Sequence, residues 1–203
     1  MNAPLLSEER RDALQEIANI GMGRAGDSIA RIFDEFVELS VPRILTMSGS
    51  EIPHAISTMV GHKDVSVVRQ AFHGELRGEV LVVYDHEHRA ELAELFGYES
   101  NELGESEREL LLDVTNALAG ACLGGMAEQL RVELGFSAPS LMGERGPVVA
   151  LFKAERIVVD NALFVEVNFK LERHTFSCHL IILMPDVQIN VMEHAIDAFI
   201  ERF

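Results

Sequence analysis

Apolar residues recur at the spacing of an α-helix in two long stretches of the chain. Over 7–36, Leu14, Ile17, Ala18, Ala25, Ile29 and Ile32 fall on one face, and over 105–134 so do Leu111, Val114, Leu118, Cys122 and Met126. Each stretch predicts an amphipathic helix. Ser7 is the expected N-cap of the first, with Glu8 and Glu9 placing negative charge in the turn where the helix dipole favours it. Ser106, followed three residues later by Glu109, has capping-box spacing for the second. Strand-like runs follow each helix. Residues 65–72 and 75–84 predict one pair, then 85–96 a shorter helix; 158–171 and 175–184 predict a second pair turning near Arg173, then 186–203 a C-terminal helix.

This order of elements occurs twice, and so do the residues. At an offset of 97 positions Glu8 falls on Glu105, Arg11 on Arg108, Leu14 on Leu111, Asn19 on Asn116, Gly23 on Gly120, Ala30 on Ala127, Ser40 on Ser137 and Pro42 on Pro139. Asp12 falls on Glu109 and Glu16 on Asp113, so acidity is kept while side-chain length changes. The Ser-x-Pro at each Ser marks an extended segment after each helix. The expected architecture is α/β in the α+β sense: a mostly antiparallel sheet with the two long helices packed beside it, and an approximate internal two-fold axis. No Pro- or Ser-rich linker divides the halves, so residues 1–203 are read as one domain of two fused repeats, about 1–100 and 101–203.

Composition narrows the partners. A formal net charge of -16 repels nucleic acid and anionic lipid and favours surfaces that present lysine or arginine. Neither a secretory leader nor a membrane span is expected from the apolar runs. Cys122 and Cys178 lie in apolar surroundings without CxxC spacing, which fits reduced thiols and a cytoplasmic location.

At about 100° per residue, Asp12, Glu16, Asn19 and Gly23 share a narrow stripe away from the apolar face, as do Glu109, Asp113, Asn116 and Gly120. A carboxamide both donates and accepts, so a positioned asparagine can hold a water molecule in line with a phosphorus atom. A neighbouring carboxylate can pair with a partner's lysine, and a glycine lets a foreign backbone come close. On a single helix such a row would be an ordinary solvated face. Its recurrence at a fixed offset marks it as a candidate site.

These residues resemble the CheC/CheX phosphatase family, whose helix motif runs Asp or Ser, three residues, Glu, two residues, Asn, then about twenty-two residues to Pro. Asp12, Glu16, Asn19 and Pro42 match it, and the two copies are closer to CheC than to the shorter, single-site CheX. The resemblance implies a phosphatase that removes the aspartyl phosphate of a CheY-like response regulator. Glu16 and Asn19 would be the catalytic pair of the first site and Asp113 and Asn116 of the second, with Asp12, Gly23, Glu109 and Gly120 contacting the partner. Any Mg²⁺ would belong to the regulator, so no cofactor or metal of the chain's own is expected. Glu109 and Asp113 depart from the motif, and Asp113 is one methylene shorter, so the first site is expected to be the more active. The family also implies alternatives: a non-catalytic adaptor for a regulator or a CheD-like deamidase, or a structural relative of FliM- and FliY-type rotor proteins. Those usually carry a further C-terminal assembly domain, which a chain ending at Phe203 is expected to lack.

Other patterns carry weaker expectations. Gly21 to Gly26 spells GxGxxG, but after a helix rather than a strand, which argues against a dinucleotide site. Neither cysteine has an arginine six residues on, and Cys178 and His179 on a strand face opposite ways. His86 and His88 read as a solvated helix start rather than a metal site. Met22, Met126, Met184 and Met192 read as core filling.

Overall fold

The computed structural model describes residues 6–61, 63–85, 91, 105–155 and 161–202. The first long helix, α1 (Glu8–Phe33), starts where Ser7 predicts: the Arg10 backbone N–H donates to Ser7 Oγ at 3.3 Å. The second, α3 (Glu105–Leu130), includes Ser106 as a helical residue. Both helices stop earlier than expected and by the same device. Asp34 and Arg131, at the same offset, adopt left-handed backbone with φ 51° and 57°. Beyond them Glu35 N–H donates to Ala30 O at 3.1 Å and Val132 N–H to Ala127 O at 3.0 Å, reversing the chain as a Schellman turn does.

The strands are β1 (Val37–Leu39), β2 (Arg43–Ser48), β3 (Asp64–Gly74), β4 (Gly78–Asp85), β5 (Leu134–Phe136), β6 (Ser140–Pro147), β7 (Asn161–Leu171) and β8 (Ser177–Pro185). Both predicted strand pairs are present. The short helices α2 (Ile52–Met59) and α4 (Val148–Glu155) were not anticipated, because eight residues carry too little periodicity to stand out. A 3₁₀ turn (Asp186–Gln188) leads into α5 (Ile189–Ile200), so the C-terminal helix is shorter than predicted. Most of the helix predicted over 85–96 lies outside the described residues, as do His86 and His88; Asp85 itself ends β4.

All eight strands form one sheet in which every pairing is antiparallel, as expected. Its order, β1-β7-β8-β4-β3-β5 with β2 also on β7 and β6 also on β3, reads the same from both ends once the halves are equated. The halves interleave: β1 and β2 of the first pair with β7 of the second, and β5 and β6 of the second pair with β3 of the first. Val37 opposes Leu171 just as Leu134 opposes Gly74, and at the centre Leu81 opposes Ile181. The Ser-x-Pro residues fasten this exchange. Ser40 N–H donates to Asn168 O at 3.0 Å and Ser40 Oγ accepts from Asn168 N at 3.0 Å, while Ser137 makes the same two bonds to Ala71 at 3.0 and 3.1 Å.

The sheet separates two apolar cores. On one face α1, α3 and α5 cover Val68, Phe72, Val82, Val165, Phe169, Leu180 and Ile182; on the other α2 and α4 cover Val67, Leu81, Phe164 and Ile181. The alternation along each strand supplies both faces, which is why the central strands read as continuous apolar runs. The buried stripe drifts around α1 toward its C-terminal end, where Ala25, Gly26, Ile29 and Phe33 take the core, and Ile32 is left 42% exposed against expectation. The stripe of α3 is buried as predicted, and so are all four core methionines. By length and composition 107–130 could cross a membrane, yet 61% of its most apolar window is buried within the protein, as befits a core helix.

Candidate functional site

The GxGxxG run is a helix-packing device. A Cβ on Gly21 would lie 2.5 Å from Cys122 O, and one on Gly26 3.0 Å from Leu39 Cδ1, so these glycines let α1 press against α3 and β1. Gly23 differs: a Cβ there meets nothing within 4 Å, and the same holds for Gly120. The fold's packing makes no demand for glycine at either position of the stripe.

With its buried side committed to the core, α1 turns Asp12, Glu16, Asn19 and Gly23 to solvent, all four exposed. In α3 Glu109, Asp113 and Asn116 are exposed and Gly120 half-buried. Glu16 and Asn19 stand about 4.5 Å apart along the helix axis, so a carboxylate and a carboxamide face one approaching surface together. Pro42 is buried beyond Ser40, where the chain passes from β1 to β2. Asp12 lies 4.0 Å from the Arg11 guanidinium, an exposed pair too loose to hold it. Asn19 and Glu16 make no hydrogen bond or ion pair among the described residues.

The second copy is built differently around its asparagine. Gln70 Nε2 donates to Asn116 Oδ1 at 2.9 Å and to Ser137 O at 2.8 Å. One residue back, Thr115 Oγ1 lies 2.9 Å from Tyr84 Oη, which also donates to Leu111 O at 3.3 Å. Burial pushes the Tyr84 phenol well above its ordinary value, keeping it a neutral donor. Gln70 escaped notice in the sequence, although its signal was there: it is a polar residue between Val68 and Phe72 on the helix-facing side of β3, and only 1% exposed.

The two long helices are tied together and to their surroundings by ion pairs. Arg24 bonds Glu128 across α1 and α3, holding the Glu128 carboxyl below its ordinary value. Arg10 reaches Asp197 at 2.8 Å through two nitrogens and Glu193 at 2.5 Å, docking α1 onto α5. These contacts leave the exposed stripes free. Among the described residues no group of three or more His, Cys, Asp or Glu is placed to hold a metal ion. Burial pushes both thiols, Cys122 and Cys178, up to about 12, so neither is a nucleophile at neutral pH. His179 turns away from Cys178 to place Nδ1 3.0 Å from Glu166.

Comparison with known proteins bears on the first stripe and on the whole fold. The CheC-like family model matches residues 9–45, a span that contains Asp12, Glu16, Asn19 and Pro42. The chain is 26% identical over 198 residues to the CheY-P phosphatase CheC of Bacillus subtilis, covering 89% of this chain and 90% of that one. Its fold is similar to the crystal structure of Thermotoga maritima FliY, with a TM-score of 0.73 at 18% identity over 96% of this chain and 98% of that one. It is also similar to the crystal structure of the FliM middle domain from Vibro alginolyticus, with a TM-score of 0.62 at 12% identity over 90% of this chain and 99% of that one. The resemblance read from the motif is thus borne out: the chain is similar to the CheC-like family over its first stripe, to CheC over most of its length, and to FliY in fold.

Proposed function

We propose that the protein is a phosphatase for the aspartyl phosphate of a CheY-like response regulator. The observation that carries this reading is the exposure of Asn19, one helical turn from an equally exposed Glu16 and, like it, without a side-chain partner among the described residues, on the segment that matches the CheC-like family. Glu16 pairs with a lysine beside the regulator's phosphorylated aspartate and fixes the docking. Asn19 orients a water molecule for attack on phosphorus; the bond from phosphorus to the aspartate oxygen breaks, releasing inorganic phosphate and the free carboxylate. An acyl phosphate is already reactive, so no nucleophile from this chain is needed. Asp12 and Gly23 line the contact. In the second site Asp113 and Asn116 take the same roles, flanked by Glu109 and Gly120. The Mg²⁺ of the reaction sits in the regulator's pocket, and the phosphatase supplies no metal.

Because the likeness to FliY and FliM speaks for the fold alone, a second reading stands beside the first, in which the chain binds a regulator, or a CheD-like partner, without hydrolysing anything. Following the decay of several phosphorylated response regulators separates the two. Faster decay with the wild-type chain, lost with Asn19→Ala and Asn116→Ala combined, is expected; binding with unchanged decay would leave only the adaptor reading.

A further inference from the structure

The two asparagines differ in what stands behind them. At the 97-residue offset Gln70 of β3 corresponds to Val167 of β7, so the polar bond behind Asn116 has only an apolar side chain at the related position of the other half. Gln70 is buried in the apolar layer beneath the helices, and its Oε1 makes no hydrogen bond among the described residues. A buried amide oxygen left unbonded costs stability. The side chain is therefore poorly explained as core filling, which a valine does in the first half.

The hydrogen bonds fix which way both amides face. A backbone carbonyl only accepts, so the Gln70 atom 2.8 Å from Ser137 O is its nitrogen. That nitrogen directs its other hydrogen to Asn116, which must answer with its oxygen, at 2.9 Å. The NH₂ of the exposed Asn116 is left without a hydrogen bond among the described residues, and Oδ1 keeps a further lone pair. Asn19 has no such restraint among the described residues.

Resting on the phosphatase reading above, we infer that Gln70 is a positioning residue for the second site: it holds the Asn116 carboxamide in one orientation before a partner arrives. Ordering achieved on folding does not have to be achieved again on docking. This offsets part of the handicap that the shorter Asp113 gives the second site, and it makes the two sites unequal by construction.

The test uses Gln70→Met, which keeps length and removes the donor, and Gln70→Val, which copies the other half. Each is made in the full chain carrying Asn19→Ala, so that only the second site works. The expected result is a loss of kcat of roughly fivefold to tenfold with KM little changed, because docking survives while aim is lost. The same substitutions in the Asn116→Ala chain are the comparison: an equal fractional loss there would mean a general effect on the fold and would overturn the inference. A second measurement needs no activity. NMR relaxation of the Asn116 side-chain NH₂ is expected to give an order parameter near 0.85 in the wild-type chain, falling below about 0.6 in either Gln70 variant. An unchanged order parameter overturns the inference. Failure of the wild-type chain to hydrolyse any regulator would instead remove the phosphatase reading, while the relaxation data would still decide whether Gln70 orders Asn116.

Discussion

Two asparagines at related positions carry different burdens. Asn19 is unrestrained and has the longer Glu16 one turn away, whereas Asn116 is held by Gln70 but is served by Asp113. Under the proposed phosphatase function, reach should outweigh restraint, since a carboxylate a methylene short of a partner's lysine would weaken docking at every encounter. Asn19→Ala is therefore expected to lower the dephosphorylation rate by about two orders of magnitude, in keeping with roughly 2–4 kcal/mol for one well-placed amide. Asn116→Ala should cost less. Rates measured for the two variants separately check the ranking, and a larger loss at Asn116 would reverse it.

At the level of elements, two of the three glycines of α1 have opposite meanings. Gly21→Ala pushes a methyl to within 2.5 Å of Cys122 O and should destabilise the fold by about 1–3 kcal/mol, because the α1–α3 contact is too tight to give way. Gly23→Ala points into open space and should raise stability by up to about 1 kcal/mol through helix propensity alone. If partners approach there, the same variant should nonetheless lose activity, roughly tenfold. Denaturant titration beside a rate assay would show the two effects moving apart; unchanged activity would remove Gly23 from the contact. The docking of α1 onto α5 should respond to pH. Hydrogen bonds from Arg10 hold the Asp197 carboxyl below its ordinary 3.8, so its contribution is present above that value and is lost as pH falls through the lower folded one. Melting temperatures should differ between the wild-type chain and Asp197→Asn at pH 7 and converge as pH falls below the lowered folded value.

Across the whole molecule the interleaved sheet makes each half depend on the other. The long strand of each half is flanked on one side by edge strands from its partner, and β4 meets β8 at the centre. Residues 1–103 alone would expose the sheet edge at β4 and the apolar sides of α1 and β3. Circular dichroism and hydrophobic-dye binding should find that fragment unfolded or associated, whereas the full chain melts as a unit; a monomeric, cooperatively folding half would contradict this. Much of this fold was readable in the chain because it depends on local periodicity. A 3.6-residue stripe on α1 and α3, two strand pairs and a duplicated polar row follow from side-chain spacing alone, and the row's exposure follows from the opposite face being apolar. The helix ends at Asp34 and Arg131 were less legible, since a left-handed turn at a non-glycine residue leaves little trace in composition. What tertiary structure alone decided was the exchange of edge strands between halves, and with it the placing of Gln70 behind Asn116 rather than behind Asn19. Those contacts join residues 46 and 67 positions apart, and no pattern of neighbours along the chain encodes which distant partner a buried amide will meet.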